Sequence, residues 1–170
     1  MADRIDRSLR TGDPIHDTIQ KYSDMVYRLA FARTQNRFDA EDIYQDVFMK
    51  LFSEEKSFES EEHKKAWLIK TTVNMSVNLL KSAWRRYTVC ENENLPVKRG
   101  ADTSPQREKL LSALKSLSEK YRVVLYLYYY EELSTDKIAE VTGASPTAVR
   151  SQLMRGRQKL RRMIEDKEVD

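Results

Sequence analysis

Apolar residues recur along this chain at three- and four-residue intervals, the spacing that places them on one side of a helix. From Pro14 to Gln35 the recurrence runs through Ile15, Ile19, Tyr22, Met25, Val26, Leu29 and Ala30 and predicts a long amphipathic helix. Asp39 is the expected cap of a second helix, Ala40–Phe52, and Ser53–Ser60 reads as a polar loop. Ser60 then caps a third helix running to about Arg86. The periodicity is lost through TVCENENLPVKRGADTS, which carries Asn, Pro, Gly and charges and reads as a linker. Helix resumes at Ser104-Pro105, and again from Ser118 through Tyr130.

The last two predicted helices form a pair. Ser134–Val141 is short, with Ser134 as N-cap, Asp136 in the first turn and Ile138, Ala139 and Val141 as its apolar side. Thr142-Gly143-Ala144 is a turn of helix-turn-helix size. Ser145 caps the next helix, and Pro146 takes its first position, where a missing N–H costs nothing. The expected fold is therefore all-α: two small helical domains, 13–88 and 105–166, joined by a flexible linker over 89–104.

Composition agrees with helices. The 170 residues are 34% charged and 40% hydrophobic, with 4 Gly and 4 Pro. The net charge of +3 conceals segregation. Residues 39–62 hold nine acids against Lys50 and Lys56, whereas residues 63–90 hold Lys64, Lys65, Lys70, Lys81, Arg85 and Arg86 and no acid. Adjacent blocks of opposite sign point to two different partners, a basic protein surface and a nucleic acid. Cys90 is the only cysteine, so no intrachain disulfide is expected and a reduced, cytoplasmic setting fits. The start of the chain has no apolar signal-peptide core, and no apolar run is long enough to span a membrane.

Three surfaces carry candidate chemistry. Residues 145–162 hold six Arg/Lys and no acid. At about 100° per residue, Val149, Leu153, Gly156, Leu160 and Met163 fall on one face and should pack inward. Ser145, Thr147, Ala148, Arg150, Ser151 and Arg155 lie near the N-terminal end of the other face, where a major-groove helix meets base edges. The ordinary alternative is a solvated basic face, but caps, turn and charge all favour DNA.

On the helix 61–86, Ala66, Ile69, Val73, Val77, Leu80 and Trp84 form one apolar stripe, and Leu68, Met75 and Leu79 a second. Between them, within about 60° of arc, lie Trp67, Lys70, Asn74, Asn78, Lys81 and Arg85. Cations there would hold phosphates, Asn can bond base edges, and an aromatic ring can stack on an exposed base. A lone Trp is ordinarily core; the polar strip around Trp67 points instead to function.

The third surface is acidic. In DAEDIYQDVFMKLF, Ile43, Tyr44, Val47, Phe48 and Leu51 share one face. The opposite arc mixes Asp42, Gln45 and Asp46 with Met49 and Phe52, apolar anchors inside a charged rim that resemble a protein interface.

Taken in order, DAEDIYQDVFMKLF, AWLIKTTVNMSVNLLKSAWRR and LSEKYRVVLYLYYYEELSTDKIAEVTGASPTAVRSQLMRGRQKLRR resemble a bacterial sigma factor of the sigma-70 family, in its short extracytoplasmic-function (ECF) form. The resemblance covers about residues 20–164. It implies that the two domains are sigma domains 2 and 4, and that Asp42, Gln45, Asp46 and Met49 dock on the clamp helices of the RNA polymerase β′ subunit. It further implies that the Ser53–His63 loop and the helix after it open the −10 element and capture an extruded base, with Trp67, Lys70, Asn74, Asn78, Lys81 and Arg85 on the DNA. The 145–162 helix would read the −35 element, the β flap would be a second polymerase contact, and the linker would thread toward the RNA exit region. Ser118 stands where the family usually has Pro, and Pro146 falls among its variable recognition positions, so base preference does not transfer. With no sensory domain expected at either end, control by a separate anti-sigma factor is expected.

Enzyme chemistry has little footing. His16 and His63 lack Cys or carboxylate partners at ligand spacing, and there is no Gly-rich phosphate loop; no catalytic residue, metal or cofactor is expected. Two rival functions remain: a stand-alone helix-turn-helix regulator, which would leave the acidic and basic helices idle, and a sigma-like adaptor that holds polymerase without melting DNA.

Overall fold

A computed structural model describes residues 14–54, 56–83 and 104–165. Among them, every regular element is a helix, in the order α1 (Pro14–Thr34), α2 (Arg37–Ser53), α3 (Glu61–Ala83), α4 (Pro105–Ser116), α5 (Glu119–Tyr129), α6 (Thr135–Thr142) and α7 (Pro146–Glu165). Most of the expected linker, with Cys90, Trp84, Arg85 and Arg86, lies outside the described residues.

Local chemistry sets most helix starts. The Ser60 hydroxyl accepts from the His63 N–H at 3.1 Å, and the Ser145 hydroxyl from the Ala148 N–H at 3.1 Å. Ser134 likewise accepts from the Lys137 N–H, and α6 ends at Gly143, whose φ of 73° is left-handed backbone that a β-carbon disfavours. One expectation needs correcting. The cap of α2 is Asn36, which accepts from the Asp39 N–H at 3.1 Å, so Asp39 is a first-turn residue and the helix begins earlier than expected. Ser118 precedes α5 as expected, but its hydroxyl makes no capping bond.

Helices α1, α2 and α3 pack mutually around Val26, Leu29, Ile43, Val47, Leu68 and Ile69, all essentially buried. The inner face of α3 departs from the expected stripes: Thr72 and Ser76 are fully buried there. Their hydroxyls donate to the carbonyls one turn back, Leu68 and Thr72, at 2.7 and 2.6 Å, so each polar group is satisfied within its own helix.

In the second group, α5, α6 and α7 pack around Leu127, Ile138 and Val149, with α4 laid against α7. The inward face of α7 is the expected one: Val149, Leu153 and Gly156 are buried, and Leu160 and Met163 half-buried. The two groups also touch each other: α5 packs on α1, and α6 on α3.

Candidate protein and nucleic-acid interfaces

The outer arc of α2 is the first surface. Asp42, Gln45, Asp46 and Met49 are all exposed, as expected, while Ile43, Val47, Phe48 and Leu51 turn inward. Phe52 is half-buried and falls out of the exposed row. A residue missed at the sequence level takes its place: Phe38, 68% exposed, begins the row at the opposite end from Met49, 62% exposed. Its positions relative to Asp42, Gln45 and Met49 are helical-neighbour spacings, and the row was legible once Asn36 rather than Asp39 was taken as the cap. Two large apolar side chains flank acids and an amide, the composition of an interface with anchors and a rim. Among the acids of this helix, burial and the neighbouring Asp42 raise the carboxyl of Asp39 above its ordinary range.

The second surface is the polar strip of α3. Lys70, Asn74 and Asn78 are exposed and therefore share the outer side of the helix as expected. Lys81 belongs to the helix but its side chain, like the whole of Arg85, lies outside the described residues. Trp67 is half-buried, with the Phe58 ring edge-on at 5.7 Å and the Lys56 ammonium over its face at 4.9 Å. Phe58 also meets His63 edge-on at 5.8 Å, so the loop before α3 folds back onto that helix's first turns. Core packing and exposure both claim part of this indole. The sequence signal for Phe58 was a single aromatic within a polar loop.

The third surface is α7. Ser145, Thr147, Arg150 and Arg155 are exposed; Ala148 and Ser151 are half-buried at the flank. The Ser145 hydroxyl is engaged as a cap, leaving its own O–H free to donate. Arg150 approaches Asp136 of α6 at 3.7 Å with both side chains well exposed, a weak contact that leaves the guanidinium open to other partners. Toward the other end, the Arg157 guanidinium lies over Tyr128 and Tyr129 at 5.2 and 5.4 Å and is thereby tied to the α5 aromatic cluster.

Helix α7 rides close to α5. A β-carbon at Gly156 would come within 3.3 Å of both Tyr121 Cβ and Leu125 Cδ1, so glycine there permits the approach that projects the opposite face outward. Among the described residues no group of His, Cys, Asp and Glu could hold a metal, and no helix is long and apolar enough to cross a membrane.

A basic helix carried on a glycine-capped helix pair lies beside a three-helix unit with one acidic and one basic face. Comparison with known proteins supplies the family. Residues 18–86 match sigma-70 region 2, and residues 107–160 match sigma-70 region 4. The RNA polymerase sigma factor SigV of Bacillus subtilis is 28% identical over 144 residues, spanning 84% of this chain and 86% of that protein. The ECF RNA polymerase sigma factor SigW of the same organism is 26% identical over 169 residues, spanning 91% and 90%. The sigma factor RpoE of Bartonella quintana, solved in complex with the anti-sigma factor NepR, shares the fold with a TM-score of 0.70 at 23% identity, over 88% of this chain and 97% of that one. The chain belongs to the sigma-70 family, in its extracytoplasmic-function group.

Proposed function

We propose that this chain is a sigma factor that binds core RNA polymerase and directs promoter-specific transcription initiation, with no catalytic activity of its own and its place of action beside the polymerase in the cytoplasm. What carries the reading is the pairing of both family regions with three separately placed surfaces on one chain. The chain would work as two domains, 13–88 and 105–166, with 89–104 spanning between the promoter elements. Asp42, Gln45, Asp46 and Met49, extended by Phe38, would dock on the β′ clamp helices. Trp67, Lys70, Asn74, Asn78, Lys81 and Arg85 would engage and open the −10 element. Ser145, Thr147, Ala148, Arg150, Ser151 and Arg155 would face the −35 element in the major groove, and the β flap would hold the C-terminal domain. An anti-sigma factor is the expected regulator, as RpoE is bound by one.

The exposed apolar pair on α2 favours this over a stand-alone regulator, which has no use for Phe38 and Met49 on an acidic face. The test is run-off transcription with purified bacterial core polymerase on fragments of the source genome. Discrete start sites that require the protein are expected, and a Phe38→Ala/Met49→Ala variant should lose core binding by on the order of tenfold or more. Binding to core without transcripts would turn the reading to the non-melting adaptor; no binding to core would turn it to the stand-alone regulator.

A further inference from the structure

Helix α7 carries its cations on two sides of an uncharged strip. At about 100° per residue, Thr147, Ser151, Met154 and Gln158 fall within about 60° of arc, opposite the buried Val149, Leu153 and Gly156. Arg150 and Arg161 border this strip on one side, Arg155 and Arg162 on the other. Thr147, Met154, Gln158 and the four arginines are exposed, and Ser151 is half-buried. The only acid of the helix is Glu165, in its last turn, which accepts from Arg161 at 2.6 Å.

That order fits a duplex groove. A helix seated in the major groove turns its middle to the base edges and its flanks to the phosphates on either side. Thr147 and Ser151 offer hydroxyls and Gln158 an amide, groups that exchange hydrogen bonds with base edges. Met154 stands apart from them. It is 53% exposed, and its thioether is only a weak acceptor. A single exposed apolar side chain is ordinary on a protein surface. What distinguishes this one is its place. It lies inside a polar strip between two rows of cations, on a helix whose other large apolar residues, Val149, Leu153, Leu160, Met163 and Ile164, are buried or half-buried.

The major groove presents one apolar group, the 5-methyl of thymine. A long unbranched side chain settles against such a group without demanding a single rotamer. The cations on both flanks supply the charge complementarity that brings duplex DNA, rather than an acidic or apolar protein, onto this face.

We propose that Met154 is a specificity-determining residue: its side chain packs on the 5-methyl group of a thymine in the −35 element, while the flanking arginines hold phosphates. The proposal rests on the reading of α7 as the −35 helix and adds a base to it. At one position of that element thymine is selected for its methyl group, not for its hydrogen-bonding edge.

The test uses the full chain assembled with core polymerase. Promoter duplexes randomised across the −35 element are selected by the wild type and by Met154→Ala, with helix content compared by circular dichroism. The wild type should enrich thymine at a position where Met154→Ala loses the preference, and the other positions should keep theirs. Replacing that thymine by uracil, which lacks only the methyl, should weaken wild-type binding about fourfold and leave Met154→Ala unchanged. Met154→Leu, which keeps an apolar chain, should restore the discrimination. Unaltered base preferences in Met154→Ala would overturn the proposal, as would a thymine preference that uracil satisfies equally well. An equal loss on every sequence would also overturn it and mark Met154 as structural. Arg150→Ala separates the two levels. If it weakens binding to the selected duplex while Met154→Ala keeps every preference, α7 still faces DNA and only the thymine contact fails. If neither variant changes binding at the −35 element, the reading of α7 fails as well.

Discussion

Gly156 is where α7 crosses α5, and its missing side chain is what brings the two helices into register. The nearest atoms are the Tyr121 β-carbon, fixed to a buried backbone, and a Leu125 methyl that can turn aside. Gly156→Val adds branched volume at the fixed side. The expected outcome is a loss of about 2 kcal/mol in urea denaturation, with helix α7 pushed off its seat and −35 binding weakened in parallel. The glycine was assigned to the inward face from spacing alone, which required only the 3.6-residue period. Phe38 and Arg122 went the other way. Phe38 was missed because one cap was assigned three residues late, and Arg122 because a charged side chain in a helix is assigned to solvent unless a partner distant in sequence is known.

At the scale of elements, Glu61 shows how a helix terminus can be an anchor. It opens α3, where a carboxylate suits the N-terminal dipole, and it accepts from Lys21 at 2.7 Å, Lys64 at 2.6 Å and the Tyr22 hydroxyl at 2.9 Å. Lys21, then Lys64 and Tyr22, hold its carboxyl down to about 2 from an ordinary 4.5. A carboxyl depressed in the folded state binds fewer protons there than in the unfolded chain. The stability it contributes is therefore present above about pH 4.5 and is lost as the pH falls toward 2. Glu61→Gln should flatten that part of the decline, as read by urea midpoints measured across this acid range. The helices themselves were legible because their signals are local: Ser60, Ser134 and Ser145 cap through bonds three residues long. The polar inner face of α3 was not, since nothing in the period distinguishes a Thr72 that bonds its own helix from one that faces water.

For the whole molecule, the question is how the two groups of helices sit together in the chain by itself. Arg122 makes the strongest single claim on that arrangement. Replacing it by Met keeps most of the volume but leaves the Ala32 and Leu117 carbonyls without their charged donor. The expected cost is about 2–3 kcal/mol, seen as a lower urea midpoint for the full chain. Glu119→Gln, by contrast, leaves those carbonyl bonds in place and removes only the charge beside Arg33 and Arg122, so its effect should be smaller.

The sequence by itself determined the helices, most of their starts, and most of the outward faces of α2, α3 and α7, because each follows from side chains within one or two turns of one another. It also carried the family, since both motifs lie largely within those helices and match sigma-70 regions 2 and 4. Only the tertiary structure decided which charges leave solvent. Arg122 reaches Ala32 across 90 positions and Arg28 reaches Tyr130 across 102, and no periodicity connects residues so far apart. Such pairs form because packing α5 on α1 brings helix ends and arginines together, and a buried charge must then find a partner where it lies.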